Sequence, residues 1–487
     1  MLIEVAPRRV EAATVDTLAV PVRADAPRAA GGLEAIAARL GALAPGELRA
    51  EPGAAAVLHG DGGRVVAAGV GAGNDPDDLR WAAAAVAQEL AHVGGRLGWA
   101  LDPAMPLPAA EQATAVVEGL MLGGYDPGLW KHARDRRVPD ALVLLTDEDG
   151  DEVLAAGRRA AVISRWTNRA RDLANEPANT LTPAALAGHA ESFAAEHAHL
   201  SAGALGPEQA AELGMGAFLG VAAGSHQPAR MILMRHDPPN AVNGLVLGLV
   251  GKAITFDTGG ISLKAPLYME DMKGDMAGGG AVIAGMAALA ELGTPVRAIA
   301  VVAATENMAG GGAYRPGDIL RAGNGTTIEV VDTDAEGRIV LADALWYARR
   351  EGATHIVDFA TLTGTMEKAL GDFYAGVYGA PAEWRDQVVA AGEASGDHAW
   401  PFPLHPRYRR FIDSDFADLK NLSRRGQGGP TYAAEFLHHF AGEGPWAHVD
   451  MAGTGFFTWS REDYLWQRGG TGYGVRLIAE LGRRLAA

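Results

Sequence analysis

Three short stretches of this chain set acidic and basic side chains in apolar, glycine-rich surroundings. Gly251 to Lys264 reads GKAITFDTGGISLK, Met272 to Met276 reads MKGDM, and Asp332 to Arg338 reads DTDAEGR. A buried carboxylate is costly unless a cation neutralises it. Asp257, Asp275, Asp334 and Glu336 carry four negative charges, which two divalent cations would balance. Oxygen donors suit hard or borderline ions such as Zn²⁺, Mn²⁺ or Mg²⁺. A pair of such ions can clamp a hydrolytic water beside the substrate oxygen. Taken singly, each acid reads more readily as a helix cap or a surface turn. The set, between apolar strands and accompanied by Lys252, Lys264 and Arg338, reads as a two-metal hydrolytic centre.

The elements that must position these residues alternate in type. Strand-like apolar runs cover Gly244 to Val250, Ala298 to Ala304, Thr327 to Val331, Thr354 to Phe359 and Ala447 to Met451. Helical patterns lie between them, at Gly279 to Leu292 and Ala342 to Arg350. This alternation predicts an α/β fold with a mainly parallel, helix-covered sheet. Ligands in such sheets bind beyond the carboxyl ends of the strands, so the polar stretches should follow strands. Earlier in the chain, runs at Thr17 to Val22 and Val65 to Val70 and a helix at Leu79 to Val93 predict a smaller α/β domain. A long helical pattern from Asp151 to Ala174 ends at Asn175-Glu176-Pro177-Ala178-Asn179, where the proline stops it. We therefore expect an N-terminal α/β domain over 1–165, closed by a linker helix, and a larger catalytic domain over 166–487.

Composition removes other classes. At 48% hydrophobic and 21% charged residues the 487-residue chain is not of the disordered type. The net charge of −17, from 42 basic and 59 acidic residues, disfavours nucleic acid and anionic lipid as main partners. With no cysteine, disulfides and thiolate zinc sites are excluded. None of the 14 histidines has HExxH spacing, and the closest clusters, His197/His199 and His438/His439, read as structural or surface residues. Gly69-Val70-Gly71-Ala72-Gly73 lacks the dinucleotide-binding spacing, and no GxSxG elbow occurs. The opening MLIEVAPRRV lacks a signal pattern, and no apolar run of about 18 residues suggests a membrane span, so a cytoplasmic protein is expected.

The polar stretches resemble the signatures of the leucyl aminopeptidases, peptidase family M17. That family reads like GKGITFDSGGISLK around its metal lysine and NTDAEGRL in its hallmark octapeptide. Further similar stretches include Glu118-Gly119 with Tyr125 and Lys131, Gly224-Ser225, Arg315 to Asp318, Ala360 to Gly364, Ala417 to Asn421 and Gly470 to Gly472.

The resemblance implies a metal-dependent aminopeptidase that removes leucine-like and other residues from peptide N-termini. Two divalent ions per chain, zinc or manganese, would be held by Lys252, Asp257, Asp275, Asp334 and Glu336. Asp257 and Glu336 would bridge them. Lys252, Asp257, Asp275 and Glu336 would make the tighter site, and Asp257, Asp334 and Glu336 the exchangeable one. A bridging water would attack, Lys264 would stabilise the oxyanion, and Arg338 would hold a bicarbonate acting as general base. Lys252 can ligate only as a neutral amine; on its own it reads as an ion-pair partner. The alternative for Arg338 alone is a structural bidentate partner of an acid. Thr361, Leu362 and Gly364 would meet the peptide backbone and first side chain, while Met272, Ala452 and Gly455 would line the side-chain pocket. The family further implies a homohexamer with its active sites facing an inner cavity. The alternative from a different class is a nucleic-acid-binding or regulatory role of the same fold. Departures from the family pattern are Asp332 for asparagine, Thr258 for serine, Ile339 for leucine, and Gly279-Gly280 for alanines, the last predicting a looser helix start.

Overall fold

The computed structural model describes the chain apart from residues 9–13, 27–47, 61–62, 134–137, 243 and 487. Contacts divide it into two units, Met1–Asn168 with Ser460–Gln467, and Arg169–Trp459 with Arg468–Ala487. The dividing point after Asn168 falls inside the helix Gly150–Asn175. Ser460–Gln467, which sequence continuity would leave in the second unit, packs with the first. Among the described residues no helix is long and apolar enough to cross a membrane.

The first unit is built on strands β1 (Leu2–Ala6), β2 (Thr17–Val22), β3 (Ala55–Gly60), β4 (Gly63–Gly69), β5 (Arg96–Ala100) and β6 (Ala141–Leu145). They lie in the order β1-β6-β5-β2-β4-β3, all parallel except β3. The helix expected to begin at Leu79 spans Pro76–Glu89. Pro76 pre-sets its first turn, and the Asp75 carboxylate accepts from Asp77 N–H at 2.9 Å, so the cap places the start earlier than the apolar pattern does. This helix packs on Ala109–Gly123 at close range: a Cβ on Gly123 would lie 2.3 Å from Ala84 Cβ.

The second unit contains an eight-stranded sheet. Its first strands are β7 (Leu200–Leu205), β8 (Arg230–His236), β9 (Val246–Asp257) and β10 (Arg297–Asn307). After two short strands, β11 (Ile319–Arg321) and β12 (Thr327–Glu329), come β13 (His355–Ala360), β14 (Ala375–Ala380), β15 (Ala399–Pro401), β16 (Leu419–Lys420) and β17 (Trp446–Asp450). The sheet order is β15-β14-β17-β13-β9-β10-β8-β7. The four central strands are parallel, whereas β8 and β14 run antiparallel to their inner neighbours. The run expected at Thr327 to Val331 does not join this sheet; β12 pairs with β11 and β16 in a separate three-stranded one.

Side chains alternate across a strand, so neighbouring residues of β9 face opposite layers. Ile254 joins the cluster of Ile339, Leu341 and Leu345 from the helix Glu336–Arg350. Ala253 faces the helix Ala277–Glu291 instead, where a Cβ on Gly279 would sit 2.7 Å from both Ala253 Cβ and Val302 Cγ1. Gly279 therefore lets this helix seat directly on the sheet. The Gly279-Gly280 pair, from which a looser helix start is expected, lies buried within this helix.

Candidate active site

The centre begins with an irregularity in β9. Ile254 pairs with Thr305 and Phe256 with Glu306, so β9 carries one residue more than β10 over this stretch. A bulge of this kind resets the alternation of side chains. Lys252, in mid-strand, and Asp257, its last residue, are an odd number of residues apart. Without the bulge they would point to opposite faces; with it both reach one cluster. Lys252 therefore lies on the strand itself rather than beyond its end.

After Asp257 the chain turns through Gly259 and Gly260, at φ of 85° and 67°. Asp257 Oδ1 accepts from Gly259 N–H at 2.9 Å and from Asn307 Nδ2 at 2.8 Å. Thr258 O accepts from Lys264 N–H, and the Lys264 ammonium comes back to 2.9 Å from Asp257 Oδ2. It also contacts Asp334 Oδ1. The 3₁₀ segment Met269–Met276 delivers Asp275, and Thr361 Oγ1 donates to its Oδ1 at 2.8 Å. Asp334 and Glu336 come from the turn opening the helix Glu336–Arg350. Thr333 ties that turn down by donating to Gly259 O at 2.6 Å and accepting from Ser262 N–H at 2.8 Å. Asn421 holds it from the other side, accepting from Val331 N–H at 2.8 Å and donating to Asp332 O at 2.6 Å. A Cβ on Gly337 would lie 2.7 Å from Lys252 Cε, so the glycine of DTDAEGR is what allows the lysine past the helix.

The result is a compact set of opposite charges. Lys252 Nζ lies 2.8 Å from Asp275 Oδ1 and 2.9 Å from Glu336 Oε1, and donates to Thr361 O at 2.9 Å. Asp257, Asp334 and Glu336 each offer an oxygen within 4.8 Å of the others. Burial and the adjacent Glu336 and Asp257 push the Asp275 carboxyl up to about 8. Burial, Asp257 and Glu336 push Asp334 up to about 7. Burial acts against both ammonium groups, but the carboxylates around them outweigh it and raise Lys252 and Lys264 above the usual lysine range. Burial likewise opposes the charge on Glu336, yet Lys252 and Lys264 hold it below the usual range.

Two lysines do not fully satisfy four acids. Asp275 Oδ2 and Glu336 Oε2 are buried without a hydrogen-bond partner, an arrangement that calls for a missing partner. Carboxylate oxygens with one amine are a donor set that fits divalent cations.

The other residues singled out from sequence occupy the rim of this set. Arg338 is buried, donates to Asn421 O at 2.8 Å and stacks 5.6 Å from the Tyr432 ring centre. It pairs with no carboxylate among the described residues, so the reading of Arg338 as partner of an acid is not met. Its Nε is buried and unpartnered. Thr361 and Leu362 continue β13, and Gly364 opens the short helix Gly364–Leu370 with open space where its Cβ would be. Gly455 faces Thr361: a Cβ there would lie 3.0 Å from Thr361 Cγ2. Ala452 and Met272 are half-buried, the latter on the segment carrying Asp275.

Sequence reasoning missed Asp450. This fully buried acid at the end of β17 accepts from Leu362 N–H at 3.2 Å, Thr363 N–H at 3.3 Å, Ala452 N–H at 3.3 Å and Thr363 Oγ1 at 2.6 Å. It thus fixes both segments proposed to meet the substrate. The signal was an acid closing an apolar strand run, AHVDM. Asp332 is also clarified: its Oδ1 accepts from Asp334 N–H at 2.9 Å and so shapes the turn.

An α/β sheet at whose carboxyl edge a strand end, a 3₁₀ segment and a helix-opening turn bring lysine-matched carboxylates to one point has the architecture of a hydrolytic enzyme. Residues 168–479 match the catalytic domain of the cytosol aminopeptidase family. A probable cytosol aminopeptidase of Solibacter usitatus is 45% identical over 369 residues, 76% of each chain. One from Streptomyces coelicolor is 41% identical over 449 residues, 87% of this chain and 84% of its own. Among solved structures, a mutant tomato leucine aminopeptidase superposes with a TM-score of 0.90 at 32% identity, covering 99% of this chain and 96% of that one. The bottromycin maturation enzyme BotP in complex with Mn gives 0.87 at 34% identity, over 97% and 100%. The chain belongs to the cytosol aminopeptidase family and is a peptidase.

Proposed function

We propose that the chain is a metal-dependent aminopeptidase acting on the first peptide bond of peptides with leucine-like and other N-terminal residues. The observation that carries this is the cluster of buried Asp257, Asp275 and Glu336 with exposed Asp334 around two lysines, with two buried carboxylate oxygens left unpartnered. Lys252, Asp257, Asp275, Asp334 and Glu336 would hold two divalent ions, zinc or manganese; the manganese complex of BotP supports a metal of this kind. When bound, such ions supply Lewis acidity and a water of lowered pKa.

The chain's own groups do the rest. Lys264 reaches the cluster from a flexible stem, and a donor there can stabilise negative charge growing on the scissile carbonyl oxygen. Arg338, with an unpartnered Nε, can hold a bicarbonate whose place is that of general base. Lys252 is held as an ammonium between Asp275 and Glu336, so it must give up its proton to ligate. Thr361, Leu362 and Gly364 would take the substrate backbone, and Met272, Ala452 and Gly455 its first side chain. The small residues at Ala452 and Gly455 leave room for a leucine-like group. Assembly as a homohexamer and a cytoplasmic location belong to the same proposal, on the strength of the family.

The test is N-terminal selectivity. A free substrate amine fixes the N-terminus in the site, and acetylation removes it. Leucine amide should be turned over with kcat/KM far above that of N-acetyl-leucine amide. Equal values would overturn the exopeptidase reading.

A further inference from the structure

On a chain of net charge −17, many exposed arginines are matched by acids. In the second unit Arg297 meets Asp237, Arg315 meets Asp318, and Arg483 and Arg484 meet Glu480. One group differs. The segments 405–411 and 423–428 carry exposed Arg407, Arg409, Arg410, Arg424 and Arg425. Among the described residues none of these five is ion-paired with a carboxylate. Glu435, near enough to feel the Arg409 charge, accepts from His405 N–H at 2.9 Å.

The two segments enclose a cavity of about 410 Å³ lined by His405, Arg407, Tyr408, Arg410, Phe411 and Gln427 among others. Its volume is in the range of small-molecule sites. One wall is aromatic. Tyr408 and Phe411 stack with ring centres 6.0 Å apart, and Phe411 stacks on Tyr432 at 6.2 Å. The Arg410 guanidinium lies 5.1 Å from the Phe411 ring centre, which holds its planar fork beside the wall. Gly428, at φ of 64°, passes the Tyr408 ring edge, where a Cβ would come within 3.3 Å.

These features select a ligand chemistry. Guanidinium groups of like charge gathered with no carboxylate ion-paired to them lower their mutual repulsion by binding an anion, and their fork geometry matches phosphate. A polarisable ring at the same cavity favours a planar group attached to that anion. None of the cavity residues belongs to the carboxylate cluster. We propose that this cavity binds a nucleoside polyphosphate, with its phosphates on Arg407 and Arg410 and its base against the Tyr408 ring.

The experiment is calorimetric titration of the metal-loaded enzyme with ADP, pyrophosphate and adenosine, in excess Mg²⁺ so that phosphates do not strip the active-site ions. ADP should bind about fivefold or more tightly than pyrophosphate, as one stacked base contributes. The double variant Arg407→Ala/Arg410→Ala should bind ADP about tenfold or more weakly, the effect of a lost charge-assisted contact. Its melting temperature and leucine amide turnover should match those of the parent. ADP binding that survives the double substitution would place the phosphates elsewhere and overturn the proposal. So would pyrophosphate binding as tightly as ADP, or no ADP binding at all. A DNA duplex bound through the same arginines while ADP is ignored would replace the small-molecule site with a polyanion surface.

Discussion

Single residues account for most of the chemistry proposed, and they separate into two kinds. Lys252 contacts Asp275 and Glu336, and Asp257, Asp334 and Glu336 bring oxygens within 4.8 Å of one another, so each of the five is a candidate to hold metal. Lys264 and Arg338 are different: one is an ammonium donor paired with Asp257 and Asp334, and the other donates to Asn421 and stacks on Tyr432 with no ion pair to an acid. Lys264→Ala should therefore keep the parent's metal content while kcat falls about 100- to 1,000-fold, with a smaller change in KM. Arg338→Ala should likewise keep metal, turn over slowly, and fail to respond to added bicarbonate, to which the bicarbonate-depleted parent responds. Elemental analysis alongside steady-state kinetics reads both variants. Loss of metal from either would move that residue into the ligand-holding set. These residues were legible in the sequence because charges embedded in glycine-rich apolar stretches need a partner. The orienting roles of Asn307, Thr333, Asn421 and Asp450 were not, because hydrogen bonds to segments far along the chain leave no trace in local composition.

At the scale of elements, what the sequence hides is the geometry that turns spacing into convergence. The central strands were legible as continuous apolar runs, since both faces of each are covered. The flanking strands β7, β8, β14 and β15 were not: β7, for example, reads LSAGAL and is mostly half-buried, with no long apolar run to mark it. The bulge in β9 was equally invisible, although it is what lets Lys252 and Asp257 share a face. Helix ends were set by caps such as Asp75 rather than by periodicity. Asp450 is the element-scale device with the plainest consequence. It anchors the turn after β13 to the end of β17 through three backbone N–H groups and one hydroxyl. Asp450→Ala leaves those donors buried without an acceptor, a loss of about 1–3 kcal/mol in stability. Because the turn carries Thr361 to Gly364, KM for leucine amide should rise as well. Denaturant unfolding and steady-state kinetics check this; an unchanged KM would detach that turn from substrate binding.

For the whole molecule, the clustered acids link folding to pH. Asp275 is raised to about 8 and Asp334 to about 7, against an unfolded value of about 3.9. A carboxyl with a raised folded pKa binds its proton more tightly in the native state. Its stabilising contribution is full below the unfolded pKa and is lost as pH rises through the folded one. Metal-free protein should accordingly lose melting temperature from about pH 4 upward through about pH 8, from these two groups. Bound cations favour the ionised acids, so the stabilisation gained on adding Mn²⁺ or Zn²⁺ should grow over the same window. Thermal melts at several pH values, with and without metal, read this directly. A gain independent of pH would show that the ions bind without displacing protons from these acids.

The most direct test of the central claim is a metal titration of chelated, metal-free enzyme, following bound ions per chain by elemental analysis together with leucine amide hydrolysis. The carboxylate–lysine cluster predicts no turnover at the start, return of activity as metal binds, and saturation at two ions per chain. Full peptidase activity in demonstrably metal-free protein would contradict it.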